Sequence, residues 1–226
     1  MSIFYINSYQ FATSAGPTDP DFANVSLLLH GDGTNGSTTI VDSSSSPKTV
    51  TAVGDAQIST AQSKFGGSSI EFDGSGDLLT IPANTAFNFG TGDLTIEAWV
   101  YHTGTVNQAI FSCNPCHFLY GISGKLRFFN ASSPSVIDAT VSYISNAWAH
   151  VAVVRSGTNV TLYQNGVNVG SGTSTVMYGG SPNVSIGSYI GTSSFWDGYI
   201  DDLRVTKGVA RYTSNFTPPT APFPDA

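Results

Sequence analysis

The stretch 148–170 constrains this chain more than any other. Trp148-Ala149-His150-Val151-Ala152-Val153-Val154-Arg155 is rich in β-branched residues, Ser156-Gly157-Thr158 interrupts it, and Asn159-Val160-Thr161-Leu162-Tyr163-Gln164 resumes a two-residue alternation. A period of two sends successive side chains to opposite faces of a strand, whereas a helix needs apolar residues every three or four positions. Asn165-Gly166 supplies two residues that accept positive φ, as a type I′ hairpin turn requires, and a third strand starts at Val167. Strands joined by such tight turns form an antiparallel meander, which needs a second layer to bury its apolar face.

The same punctuation recurs along the chain. Val25-Ser26-Leu27-Leu28-Leu29-His30 is a short buried run ending in Gly31-Asp32-Gly33, with Ile40-Val41 as the expected return strand. Further strands are predicted at 50–53, within 65–74, and at 78–82, 94–101, 109–112, 118–122, 126–129, 140–144, 184–187 and 199–205. In 94–101, Ile96, Ala98 and Val100 fall on one face and Thr95, Glu97, Trp99 and Tyr101 on the other. Only 84–89 suggests a helical turn, and 208–212 reads as a short turn. About a dozen short strands without a sustained helical period predict an all-β, antiparallel two-sheet sandwich. We divide the chain into an N-terminal arm, 1–23, with a strand at 3–11 and a connector carrying Gly16, Pro17 and Pro20; the sandwich, 24–213; and a Pro-rich tail, 214–226.

Composition narrows the function. Apolar residues at 40% and aromatics at 12% suffice for a large core, while charged residues at 10% fall far below the roughly 25% of ordinary domains, so Ser, Thr, Asn and Gly must cover the surface. The net charge is −7 and the eight Lys and Arg are scattered, which argues against nucleic acid. The start, Met1 to Tyr9, lacks the basic and apolar regions of a signal peptide, and nothing reaches the roughly 18 apolar residues of a membrane span, so no membrane insertion is expected. Cys113-Asn114-Pro115-Cys116-His117 matches the haem-attachment pattern literally, but one short pattern without export signals reads as a loop whose thiols are free or joined locally.

Several segments together resemble laminin-G-like domains of the concanavalin A-like lectin and glucanase superfamily. They are Leu27-Leu28-Leu29-His30-Gly31-Asp32-Gly33, Phe65 to Gly74, the strand 94–100, the meander 148–170, and Gly198-Tyr199-Ile200-Asp201-Asp202-Leu203-Arg204-Val205, in the family's order over 25–207. The resemblance implies a jelly-roll sandwich. It does not decide among lectins, adhesion modules, pentraxins and glucanases. The glucanases place Glu, Asp and Glu at alternate positions of one strand, whereas this chain has only Glu71 and Glu97, far apart, so no enzyme is expected. His150 shares the face of Ala152 and Val154 and reads as a packed core histidine; His30, His102 and His117 stand apart from one another in sequence.

The resemblance also implies a structural calcium joining the first and last strands, with Asp201 as a ligand, Asp32 facing it, and carbonyls and water completing the oxygen shell. The competing reading has Asp201 and Asp202 capping turns or pairing with Arg204 or Lys207. For a host-surface glycan, Trp196 and Tyr199 offer aromatic faces beside Asp197, and Tyr178 with Asn183 offers the same chemistry, although Trp99, Trp148 and Trp196 also suit a sandwich core. The ending Val205-Thr206-Lys207-Gly208-Val209-Ala210-Arg211-Tyr212 before Asn215-Phe216-Thr217-Pro218-Pro219 resembles those of bacteriophage and marine bacterial proteins. The first expectation is therefore a non-catalytic structural protein of a phage particle, a capsid decoration or tail-associated subunit. Its arm and tail would touch other virion proteins or copies of itself in a homo-oligomer or larger assembly. The alternative is a glycan-binding adhesin, assisted by calcium, and the third reading is a glycoside hydrolase.

Overall fold

Alternation along the strands is realised as two antiparallel sheets packed face to face. The computed structural model describes residues 18–104, 107–122, 124–130, 133–175, 180 and 182–226. Its strands are β1 Val25–Leu29, β2 Thr51–Val53, β3 Gln57–Ser59, β4 Ser69–Asp73, β5 Leu78–Ile81, β6 Leu94–His102, β7 Gln108–Cys113, β8 Cys116–Ile122, β9 Lys125–Asn130, β10 Ser133–Asp138, β11 Trp148–Ser156, β12 Asn159–Gln164, β13 Val167–Thr173, β14 Val184–Ile186 and β15 Asp197–Lys207. One sheet runs β13-β12-β11-β6-β15-β4-β3, with β1 also paired to β15; the other runs β10-β9-β8-β7-β14-β5-β2. The predicted arm strand at 3–11 lies outside the described residues.

The predicted faces hold. Ile96, Ala98 and Val100 of β6 and Val151 and Val153 of β11 join one core with Phe111, Phe118, Phe128 and Ile186 of the opposite sheet. The hairpin between β12 and β13 turns on Asn165 and Gly166 at φ 50° and 75°, the two positive values of the type I′ turn. In β15, Ile200 and Leu203 are both core residues although three positions apart. Strict alternation forbids this, so the strand bulges against β6 between Asp201 and Arg204, with Asp202 at φ 51°.

Two local expectations fail, and two strands appear where none was expected. Ile40-Val41 forms no strand: Ile40 plugs the core, Val41 is exposed, and the segment meets β1 through Asp42, whose Oδ1 accepts from Leu28 N at 3.1 Å and Ser44 N at 2.9 Å. Residues 140–144 are irregular, pinned where Tyr120 Oη accepts from Ile144 N at 2.7 Å and donates to Ile144 O at 2.8 Å. The edge strand there is β10 instead, whose Ser133-Pro134-Ser135 start reads as a turn in sequence and is tolerated because the edge needs fewer donors. Strand β3, only three residues long, also went unpredicted.

After β15 the chain folds back as a strap, 208–226, over the outer face of the β6-containing sheet. Tyr212 stacks on Phe216 with centroids 3.6 Å apart, both rings cover Ala152, Val154 and Tyr163, and Phe216 N donates to Gly166 O at 2.9 Å. Phe223 lies 3.7 Å from the Arg204 guanidinium, and Asp19 N donates to Ala226 O at 2.8 Å. Thus residues 214–226 pack onto the sandwich instead of projecting from it.

Beneath the strap, Glu97 is fully buried in the middle of β6. Arg204 Nε and Nη2 donate to its Oε1 at 3.0 and 2.8 Å, Tyr212 Oη donates to Oε2 at 2.7 Å, and His150 Nε2 lies 3.3 Å from Oε2. Arg204 Nη1 also donates to Asp19 at 3.1 Å, and Asp19 receives Arg211 Nη1 and Nη2 at 3.0 and 2.7 Å. Burial by itself would raise the Glu97 carboxyl, yet the Arg204 charge, followed by His150 and Tyr212, holds it at about 2 against an ordinary 4.5. Its contribution to stability is therefore present above pH 4.5 and lost as pH falls toward 2. Glu97→Ala leaves Arg204 half unpaired in a dry site and is expected to destabilise the fold by about 3–5 kcal/mol in denaturant melts. The acid limb of the parent's stability curve should flatten in the variant. An unchanged melt would show that the ion network carries no stability.

Candidate functional site

The outer face of the β6 sheet can be followed row by row across its strands. Pairing places Tyr199 of β15 opposite Tyr101 of β6, and Tyr101 opposite Trp148 of β11. Their rings meet edge to face at 6.0 and 5.7 Å, and all three are half-buried, so the row is open to solvent at the end of the sheet that the strap leaves free. Glu71, opposite Tyr199 on β4, accepts from Tyr199 Oη at 3.0 Å. Burial and then the Glu71 carboxylate push that phenol up to about 12, which keeps it a donor at neutral pH. One row inward, Trp99 is buried under Lys64, whose Nζ stands 3.8 Å from the ring. Further on, the strap covers the Glu97 network.

Beside this row the bulge in β15 gathers carboxylates. Asp201 Oδ2 accepts from Lys64 N at 2.7 Å and Phe65 N at 3.1 Å, while its buried Oδ1 has no hydrogen-bond partner among the described residues. Burial first, then the charges of Asp202 and Asp32, push the Asp201 carboxyl up to about 7 despite those two donors. Asp202 is spoken for: Oδ1 lies 2.7 Å from His30 Nδ1, and Oδ2 accepts from Phe223 N at 2.8 Å. Asp32 stands so close to Gly66 that a Cβ there would fall 1.7 Å from its Oδ1. Of the competing reading, the capping holds, since both aspartates accept from backbone amides, and the pairing does not: Arg204 turns to Glu97 and Asp19, and Lys207 Nζ donates to Thr85 O at 3.0 Å. Among the described residues no three His, Cys, Asp or Glu side chains are grouped to hold a metal ion by themselves.

The residues expected to bind sugar are not brought together. Trp196 is a correction: it is completely buried between His102 and Tyr120, at 5.2 and 5.7 Å, and offers no face to a ligand. Asp197 is half-buried at the start of β15, where its backbone N donates to Gln108 Oε1 at 3.0 Å. Asn183 is exposed beside β14 in the opposite sheet, and Tyr178 lies outside the described residues. Only Tyr199 joins the aromatic row. Tyr101 and Trp148 went unassigned because a strand pattern gives the face of a residue and not what covers that face.

Three groupings with catalytic chemistry are enclosed. Ser112 Oγ lies 2.7 Å from His117 Nδ1, but both residues are buried, the imidazole sits between Phe129 and Tyr189, and burial lowers it to about 4. The Cys113 and Cys116 thiols are free, buried and paired across the turn between β7 and β8. Glu97 is committed to Arg204.

A two-sheet lectin-type sandwich with its ends drawn together is the class this geometry defines. The chain belongs to the concanavalin A-like lectin/glucanases superfamily, whose Laminin_G_3 sequence model matches residues 73–211. No curated protein is significantly similar to it in sequence. Among solved structures it is similar to domain 4 of AbnA, a GH43 extracellular arabinanase from Geobacillus stearothermophilus, in complex with arabinotriose; identity is 19% and TM-score 0.61 over 83% of this chain and 94% of that one. It is also similar to a structure of botulinum neurotoxin type C, whose cell entry depends on interaction with two ganglioside molecules, at 17% identity and TM-score 0.62 over 83% of this chain and 49% of that one. The binding domain of botulinum neurotoxin serotype D/C gives the same picture at 17% identity and TM-score 0.62, over 83% of this chain and 50% of that one. At such identities the likeness is one of fold.

Proposed function

We propose that this protein is a non-catalytic carbohydrate-binding module, and that the row Tyr199, Tyr101 and Trp148 is its platform. The observation that carries the reading is this row of three half-buried aromatics in cross-strand register, left open beside the part of the sheet face that the strap covers. Aromatic surface covers the C–H face of a sugar ring, while Glu71 and the Tyr199 hydroxyl, fixed at 3.0 Å, stand ready for hydroxyl groups. The arabinotriose complex of the similar arabinanase domain supports the same ligand class. Glycoside hydrolysis needs two positioned carboxyl groups, and the burial of Glu97 under the strap argues against its being one of them.

Calcium is the cofactor we propose for the bulge. Asp201 Oδ1, buried and unpartnered beside the Asp202 and Asp32 charges, suits an oxygen-seeking cation. Asp201 and Asp32 would hold it, with backbone carbonyls and water completing the shell. Bound there, it would neutralise the carboxylates and fasten the turn after β1 to β15. We further propose display of the module on a phage particle, a reading supported by the resemblance of residues 205–219 to bacteriophage and marine bacterial proteins.

Trp148→Ala is expected to weaken binding to a recognised oligosaccharide by about tenfold or more, about 1.4 kcal/mol, in calorimetric titrations. Because Trp148 is half-buried, its melting curve should stay close to the parent's; equal affinity of the two proteins would sink the platform. Millimolar calcium is expected to raise the Tm of the parent and not that of Asp201→Ala, and a rise of the same size in both would remove calcium from the bulge. Purified phage particles should carry the protein through a density gradient; protein found only free would end the particle reading.

A further inference from the structure

The carbohydrate reading leaves unused a second concavity on the same sheet face, at the opposite end of β11. Its origin lies in the β13 sequence Val-Asn-Val-Gly-Ser-Gly-Thr. A Cβ on Gly170 would fall 2.6 Å from Asp138 O, and one on Gly172 3.1 Å from Ile137 Cγ1. The two glycines therefore let β13 close tightly on β10 of the other sheet, and Ser171 and Thr173 between and beyond them point outward. Register sets Ser171 beside Thr161 and Thr173 beside Asn159, with Val154 of β11 opposite Thr161. The strap supplies the far wall with Tyr212, whose hydroxyl is fixed on Glu97 at 2.7 Å and whose ring is fixed on Phe216 at 3.6 Å.

The result is a groove of about 390 Å³, within the range of small-molecule sites. Hydroxyl and amide side chains line it, Tyr212 gives it apolar surface over the buried Val154, and none of its lining residues carries a charge. With no cation or carboxylate in the lining to offset a ligand's charge, the groove favours a neutral ligand over phosphate, sulfate, sialic acid or a metal ion. Hydroxyls and amides both donate and accept, as sugar hydroxyls do. The wall is preorganised, because Tyr212 is held by a buried carboxylate and a stacked ring and loses little freedom when a ligand arrives.

We propose that this groove, floored by Thr161, Ser171 and Thr173 and walled by Tyr212, is a second subsite for a neutral glycan. It rests on the carbohydrate reading and extends it: Trp148 and Val154 lie six residues apart on β11, about 20 Å at the strand rise, so one extended glycan or two branches would engage both subsites on one face. Two linked sites raise the affinity for a polymer above that for a short piece without any new contact.

The test titrates the parent, Ser171→Trp, Thr161→Ala and Trp148→Ala with short neutral oligosaccharides of glucose, mannose, xylose and arabinose, following backbone amide shifts. Ser171 is exposed, so a tryptophan fills the groove without entering the core, and an unchanged melting curve verifies that the variant folds. The parent is expected to show two separate sets of shifts, around Tyr101 and around Asn159 and Thr161. Ser171→Trp should abolish the second set and leave the first, Thr161→Ala should weaken the second alone, and affinity for a long polysaccharide should fall about tenfold or more in Ser171→Trp. Shifts confined to the Tyr101 region, with Ser171→Trp binding like the parent, would overturn the groove while leaving the platform intact. Shifts confined to the groove and indifferent to Trp148→Ala would sustain the groove and overturn the platform. A parent that shifts nowhere across the panel would overturn both.

Discussion

A single carboxylate in the middle of a sheet organises the molecule. Glu97 lies at the centre of β6, where desolvation would cost several kcal/mol were the charge not compensated. Compensation comes from every direction: Arg204 from the neighbouring strand, His150 from the other neighbour, and Tyr212 from the strap, with Asp19 from the segment before β1 sharing Arg204 and Arg211. Each partner serves because the others exclude water, so the two ends of the described chain and the two central strands are tied to one buried charge. A hydrophobic residue at position 97 would serve packing as well, but it would give the strap no unique register, which a carboxylate with directed hydrogen bonds does.

The strap so fixed divides the sheet face. Where Phe216, Tyr212 and Phe223 lie, the sheet is closed and carries stability. Beyond them the Tyr199, Tyr101 and Trp148 row stays open at one end, and the uncharged groove beside β13 stays open at the other. The surfaces proposed for recognition are thus the parts of one sheet that the C-terminal segment does not cover. The covering segment is itself part of the second of them, since Tyr212 is both a partner of Glu97 and the wall of the groove.

The bulge at Asp201 and Asp202 shows how a local backbone device creates chemistry. An extra residue restores Leu203 and Val205 to the core, and the same step turns two successive aspartates to the outer side. One of them finds His30 and a strap amide. The other caps Lys64 N and Phe65 N with one oxygen and keeps its second, buried oxygen without a partner among the described residues, which is why the proposed cation falls to it.

Strand positions were largely legible because a half-buried strand must alternate: β6, β11 and β12 follow from the period of two, and the Asn165-Gly166 turn from the positive φ that few other pairs accept. The family followed from the order of such segments. What escaped were elements without such a signal, β3 because it is too short to show a period and β10 because its Ser-Pro-Ser start mimics a turn. The candidate site escaped for a different reason. Which face of a strand a residue occupies is local information, fixed by the pleat, whereas whether that face is open depends on where residues more than a hundred positions away come to rest. Sequence by itself placed Trp99, Tyr101 and Glu97 on one side of β6; only the tertiary structure decided that the strap buries Glu97, that Lys64 roofs Trp99, and that Tyr101 is left open to solvent, because long-range packing distributes solvent along a face the sequence can only name.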